Sequence, residues 1–166
     1  MPNILICGTP GTGKSTIIQY LRNVVPQMNY VNLGKFAIDN NCADEFDETL
    51  DTHVINEDKL LGLVKPILEN NNNIIEYHHA DVLPNEMIHA VFVCRSDNTK
   101  LYDRLAARGY SQIKINNNLE AEIFRLILDE AIEHFGSDKV HELSSNDVHE
   151  IESNVQLISD RINRLQ

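Results

Sequence analysis

The sequence predicts an α/β protein built on a parallel sheet, and three observations point there. Short apolar runs, of the kind that suit strands buried on both faces, alternate with helix-length segments. A glycine-rich turn ending in Gly13-Lys14-Ser15 follows directly on the first apolar run. No linker or internal repeat divides the 166 residues, so residues 1–166 read as a single domain.

The elements follow in order. Residues 3–7 (NILIC) are a first strand, and residues 14–25 form the next helix, with Ile17, Ile18 and Leu21 on one side. Residues 30–33 (YVNL) read as a second strand. Residues 34–55 have no clean period and predict a loop-rich excursion with a short helix near its start. Asn56 caps a helix through EDKLLGLVKPILEN, with Glu57 and Asp58 in its first turn, where the helix dipole favours anions. Pro66 predicts a kink or an earlier end, and the asparagines at 70–73 a loop.

Residues 74–77 (IIEY) resume the buried-strand pattern, and residues 88–94 (IHAVFVC) are the clearest strand. Asp97 caps a helix that stops at Gly109. Residues 110–118 read as a short polar loop, with Asn117 and Glu120 as a capping box for a helix over 119–135. In that helix Leu119, Ile123, Ile127 and Ala131 recur every fourth residue. Residues 139–144 make a last strand. An amphipathic helix from Asp147 to Leu165 has Val148, Ile151, Val155, Ile158 and Ile162 on one face.

Composition narrows the function. Apolar residues make up 42% of the chain, in the globular range, and no apolar run approaches the ~20 residues of a membrane span. Cys7, Cys42 and Cys94 lack metal-ligand spacing and read as reduced thiols of a protein of the cytosol or nucleus. Cys7, in an apolar strand, reads as an inert core thiol. The formal charge of −11 opposes direct, nonspecific binding to a nucleic-acid backbone and is compatible with a basic protein partner. Eight carboxylates lie between Asp39 and Asp58, with no Lys or Arg among them.

Gly8 to Ser15 (GTPGTGKS) fits G-x-x-x-x-G-K-[ST] at every fixed position, between an apolar strand and a helix. Backbone N–H groups of such a loop form an anion nest at a helix N-terminus. Lys14 neutralises β- and γ-phosphates, and the Ser15 hydroxyl is placed to ligate Mg²⁺. The implied ligand is a nucleoside triphosphate with Mg²⁺, and the implied fold that of a P-loop NTPase, whose ligands bind at the carboxyl ends of the strands.

Other residues bear on the acceptor. Glu76, at the end of a buried strand, can join the Mg²⁺ shell or orient water, and His78 can take or pass a proton. Arg104 and Arg108, one turn apart before Gly109, can fold over transferring phosphates, where an arginine is worth roughly 10³–10⁵ in rate. Lys35 and Arg95 are the cationic candidates for the acceptor side. The segment after the second strand, where monophosphate kinases carry their acceptor domain, is acidic here.

These stretches together resemble the adenylate kinase isoenzyme 6 family, also described as coilin-interacting nuclear ATPases. The resemblance rests on PNILICGTPGTGKST (2–16), YVNLG (30–34), EFDETLD (45–51), IIEYHHAD (74–81), HAVFVCRSD (89–97), LYDRLAARGY (101–110), EAEIF (120–124) and VHELSSN (140–146). It implies an adenylate-kinase-like three-layer fold with a five-stranded parallel sheet. The acceptor segment would be about 31–55 and the short lid about 107–117. Gly11, Thr12, Gly13, Lys14, Ser15 and Thr16 would bind ATP, with Arg104 and with Arg108 from the lid, while Ser15 and Glu76 would hold Mg²⁺. Glu76 and His78 fall on the family's Asp-x-His motif.

The implied activities are adenylate kinase and ATPase, in maturation of the small ribosomal subunit in nucleus and cytoplasm. The implied partner is a basic small-subunit ribosomal protein, received by Asp44, Glu45, Asp47, Glu48 and Asp51, and a monomer is expected. Three positions depart from the pattern. Glu76 replaces an Asp, Ile38 stands where many members have Arg, and Asp147 follows Ser145-Asn146 where Lys is usual. The alternative is an ATP-dependent assembly switch without AMP kinase activity.

Overall fold

A computed structural model describes all residues, Met1–Gln166. Five strands, β1 (Asn3–Cys7), β2 (Asn29–Asn32), β5 (Asn73–Glu76), β6 (Ala90–Arg95) and β7 (Val140–Ser144), form one parallel sheet in the order β2-β5-β1-β6-β7. The expected three-layer arrangement is present. Side chains of β1 alternate between the layers: Leu5 and Cys7 pack into one core with α3 (Glu57–Glu69) and α6 (Leu126–Phe135). Ile4 and Ile6 pack into the other, with α1 (Lys14–Val24) and α7 (Val148–Arg164). Continuous apolar strands are what a sheet covered on both faces requires.

Local capping follows the sequence at several ends. Asn56 Oδ1 accepts from Lys59 N at 3.0 Å to start α3, and Asp147 Oδ1 accepts from Glu150 N at 2.9 Å to start α7. Asp97 precedes α4 (Asn98–Ala107) without a side-chain cap bond. Helix α3 runs through Pro66 to Glu69 rather than ending early. Val148 is exposed, because it begins α7 at the rim, while Ile151, Val155, Ile158 and Ile162 are buried as expected.

Three segments differ from expectation. After α2 (Leu33–Asp39), residues predicted as loop form an antiparallel hairpin, β3 (Ala43–Asp47) and β4 (Thr52–Ile55). Asp47 Oδ1 closes its turn by accepting from Thr49 N and Leu50 N at 2.9 and 3.0 Å. The expected polar loop at 110–118 is mostly helix α5 (Gln112–Ile123), capped by Ser111 Oγ accepting from Lys114 N. The single helix over 119–135 is broken at Arg125, whose φ of 57° is left-handed, so the capping box at Asn117 does not form and Ile123 is exposed.

The asparagine tract also divides. Asn71 and Asn72 take left-handed turns, but Asn73 is fully buried and opens β5. Its Nδ2 donates to Asn3 Oδ1 at 2.8 Å, while Asn3 Nδ2 donates to Leu68 O and Met87 O. These two amides bond to one another and to backbone carbonyls around the start of the sheet, Met87 O among them.

Candidate nucleotide site

The turn after β1 closes into a phosphate-binding loop. Gly8 has φ +142°, and a Cβ there would lie 2.5 Å from the Cys94 carbonyl oxygen, so only glycine lets the loop leave β1 against β6. Gly13, at φ +94°, begins α1. Thr12 is buried and ties the loop inward, its Oγ1 donating to Thr9 O at 2.7 Å. Lys14 Nζ donates to Gly8 O at 2.6 Å and Thr9 O at 3.1 Å. Burial lowers the pKa of this ammonium, and the nearby Glu76 charge opposes that shift.

A cleft of ≈ 210 Å³ opens over the loop, at the carboxyl ends of β1 and β5. Its walls include Gly11, Gly13, Lys14, Ser15 and Thr16, together with Glu76, His78 and Arg108. Residues predicted from separate stretches of sequence therefore meet at one place.

Glu76 is the best-held group there. It is buried, and its Oε1 accepts from Ser15 Oγ at 2.6 Å. Its Oε2 accepts from Tyr30 OH and, at 3.2 Å, from Asn32 Nδ2. Asn32 is the register partner of Glu76 across β2 and β5, and Tyr30 lies two residues earlier on the same face. The longer side chain thus has its own donors. The Glu76 contact raises the Tyr30 pKa, second to burial, to about 12.

His78 is mostly buried between the cleft and a second cavity. Burial, then the neighbouring His79 and Lys14, holds its pKa down to about 3, so it is a neutral imidazole near pH 7. The Cys7 thiol is pushed up by burial, as fits an inert core cysteine.

Other predicted residues lie elsewhere. Arg104 stands behind the loop, donating to Gly11 O, Ser96 Oγ, Ser145 O and Asn146 O at 2.9–3.2 Å. It fastens the phosphate loop to the turn before α7. Arg95 pairs with Glu122 and Glu142, away from both cavities. Lys35 is exposed and pairs with Asp39 one turn on. Ile38 is exposed on α2.

The second cavity, ≈ 320 Å³, lies between the hairpin and helices α5 and α6 and includes Leu50, Thr52, His78, Tyr110 and Lys114. Lys114 Nζ lies 4.2 Å from the Tyr110 ring centre and donates to Asp51 O at 2.7 Å, joining α5 to the hairpin. Neither Tyr110 nor Lys114 carries a motif signal beyond its place in the predicted lid, and Tyr30 and Asn32 become site residues only through strand register.

The family model described as an AAA domain matches residues 4–125. A Saccharomyces cerevisiae protein called adenylate kinase isoenzyme 6 homolog FAP7 is 42% identical over 157 residues, covering 95% of this chain and 80% of the relative. The chain belongs to the adenylate kinase isoenzyme 6 family. Homologues of the same name from Caenorhabditis elegans and Schizosaccharomyces pombe are each 40% identical, covering 96% of this chain and 88% and 90% of theirs.

Solved structures share the fold at low identity. A shikimate kinase from Bacteroides thetaiotaomicron aligns with TM-score 0.66 and 14% identity over 98% of both chains. A structure described as a putative kinase from Chloroflexus aurantiacus gives 0.61 and 15%, over 98% of this chain and 96% of that one. The isoenzyme 6 chain therefore has the α/β fold of P-loop kinases, with their nucleotide-binding loop intact. No helix is long and apolar enough to cross a membrane.

Proposed function

We propose that this chain is an ATP-binding phosphotransferase with adenylate kinase activity (ATP and AMP to two ADP) and ATPase activity. It would act in maturation of the small ribosomal subunit, in nucleus and cytoplasm. The observation that carries the reading is the 2.6 Å contact of Ser15 Oγ with Glu76 Oε1, beside Lys14 and Arg108 in one cleft.

Mg²⁺ suits this donor set: a hydroxyl and a carboxylate, hard oxygen ligands with no thiolate in the cleft. Ser15 and Glu76 would hold it, and it would supply neutralisation of charge on the phosphate oxygens. The loop N–H groups and Lys14 orient the triphosphate. Arg108, exposed at the end of α4, reaches the same cleft and would stabilise charge on the transferring group. Neutral His78 lines the same cleft and would orient an attacking water by hydrogen bonding, while an AMP phosphate oxygen, already ionised, needs no base. Lys114 and Tyr110, closing α5 on the hairpin, would exclude water from the acceptor cavity.

The hairpin supports the partner reading. Glu45, Glu48 and Asp51 are exposed, and none of the five predicted carboxylates is in an ion pair. Asp47 is turned into its own turn, and Asp44 accepts from Asn56. A basic ribosomal protein would complement this face.

A second reading is an ATP-driven assembly switch with water as acceptor, or with negligible turnover. It is favoured on the acceptor side, where Ile38 is apolar and Lys35 is already paired with Asp39. The test resolves ADP, AMP and free phosphate from Mg²⁺-ATP, with and without AMP, for wild type and Lys14→Ala. ADP formed from AMP, lost in Lys14→Ala, supports the kinase. Phosphate release indifferent to AMP supports ATPase alone. Neither product, with ATP bound, leaves the switch.

A further inference from the structure

A second cluster of ligand-type side chains lies outside the nucleotide cleft, where the segment after β5 meets α6. His79, Asp81 and Glu130 each offer a ligand atom, and these atoms lie within 4.8 Å of one another. His79 Nδ1 is 3.5 Å from Glu130 Oε2. That oxygen is shut off from solvent and accepts no hydrogen bond. A carboxylate oxygen removed from water without a donor is costly, and such groups in native proteins are met by a partner or an ion.

Neither lysine nor arginine meets that oxygen. The adjoining cavity is lined by Asp81, Glu130, Glu133 and His134, with no lysine or arginine. His134 Nε2 is taken by the Leu83 carbonyl at 2.8 Å. Three carboxylates, Asp81, Glu130 and Glu133, line the gap between the post-β5 segment and α6.

We propose that His79, Asp81 and Glu130 bind a divalent transition-metal ion of the zinc class, with water in the remaining position. The imidazole selects such an ion over Mg²⁺, and one histidine with two carboxylates leaves an open tetrahedral place. Ligand atoms around tetrahedral zinc, at ~2.0–2.2 Å from the ion, sit about 3.3 Å apart. Closing the site therefore takes a small inward rotation of His79 and Asp81, which are half-exposed and exposed respectively. The ion pins the post-β5 segment to α6. That segment includes His78, whose ring centre is 4.6 Å from that of His79.

The test uses the full chain, stripped with EDTA, dialysed and free of nucleotide. Zn²⁺ is titrated by calorimetry, and Co²⁺ by visible absorption. One ion per chain is expected, with a rise in melting temperature and a tetrahedral cobalt band. His79→Ala and Asp81→Asn, both at the surface, each weaken Zn²⁺ binding at least about tenfold and remove both signals. Millimolar Mg²⁺ does not displace the ion. Absence of saturable binding overturns the site. So does unchanged affinity in both variants, which would place the ion elsewhere, and so does displacement by Mg²⁺, which would mark a site of carboxylates alone.

Discussion

Ser15 Oγ donates a 2.6 Å hydrogen bond to Glu76 Oε1, joining the end of the phosphate loop to the end of β5. The other carboxylate oxygen is occupied by Tyr30 and Asn32 from β2. Glu76→Gln presents an amide N–H₂ to at least one of these donors. We expect kcat to fall about 10²–10³-fold, on the scale of losing one preorganised electrostatic group, with a smaller change in ATP affinity. Glu76→Asp shortens the reach so that Ser15 and Tyr30 are not both satisfied, and should lie between wild type and Glu76→Gln. Steady-state kinetics with Mg²⁺-ATP reads both.

His78 gives a pH signature. Its native pKa is held near 3 against an ordinary 6.5, so between those values the unfolded chain binds the extra proton. Stability therefore rises with pH across that window. The contribution is complete above about pH 6.5 and is lost as pH falls toward 3. Urea midpoints at several pH values should drop more steeply on acidification for wild type than for His78→Asn. Parallel curves would assign the acid sensitivity to other groups.

Gly8→Ala tests the loop's departure from β1. The added methyl meets backbone at 2.5 Å, and the φ of +142° is unfavourable for any Cβ. We expect a loss of about 3 kcal/mol or more, combining overpacking with backbone strain, measured by chemical denaturation.

Asn3→Ala tests the buried amide pair. It removes the donor to the Met87 carbonyl, one of two donors to the Leu68 carbonyl, and one of the acceptors of Asn73 Nδ2. A loss of about 1–3 kcal/mol is expected, mainly from the orphaned Met87 carbonyl, in the same assay.

Lys114→Met removes the bond to Asp51 O but keeps the side-chain stem. The expected outcome is faster amide exchange in the hairpin and the first turn of α5. KM should rise severalfold while kcat changes little. Unchanged exchange in the hairpin would show that the Lys114 bond is not what holds the hairpin to α5.

The strands that carry the site were legible because burial on both faces leaves a dense apolar signature, as in NILIC and AVFVC. The phosphate loop was legible because its chemistry fixes residue types at fixed spacing. The β3–β4 hairpin was not. Its strands, ADEFD and THVI, are mostly exposed, so no alternation marks a buried face. Helix α5 was hidden by its asparagines, since only Ile115, Asn118 and Glu122 are buried along it. The break at Arg125 leaves no composition signal, because the left-handed residue is not glycine. Tyr30 and Asn32 joined the site through the pairing of β2 with β5, and a parallel register between strands some forty residues apart cannot be read from either strand alone.

The Lys114 bond to the hairpin ends on a backbone carbonyl, not on one of the acidic side chains around it. Every residue at position 51 offers that oxygen. Substitutions at Glu45 and Glu48, whose side chains take no part in that bond, can therefore change the charge of the acidic face without removing the link from α5 to the hairpin. Surface charge and the attachment of the hairpin to α5 are mechanically separable in this fold, and selection can act on one while the other is held constant.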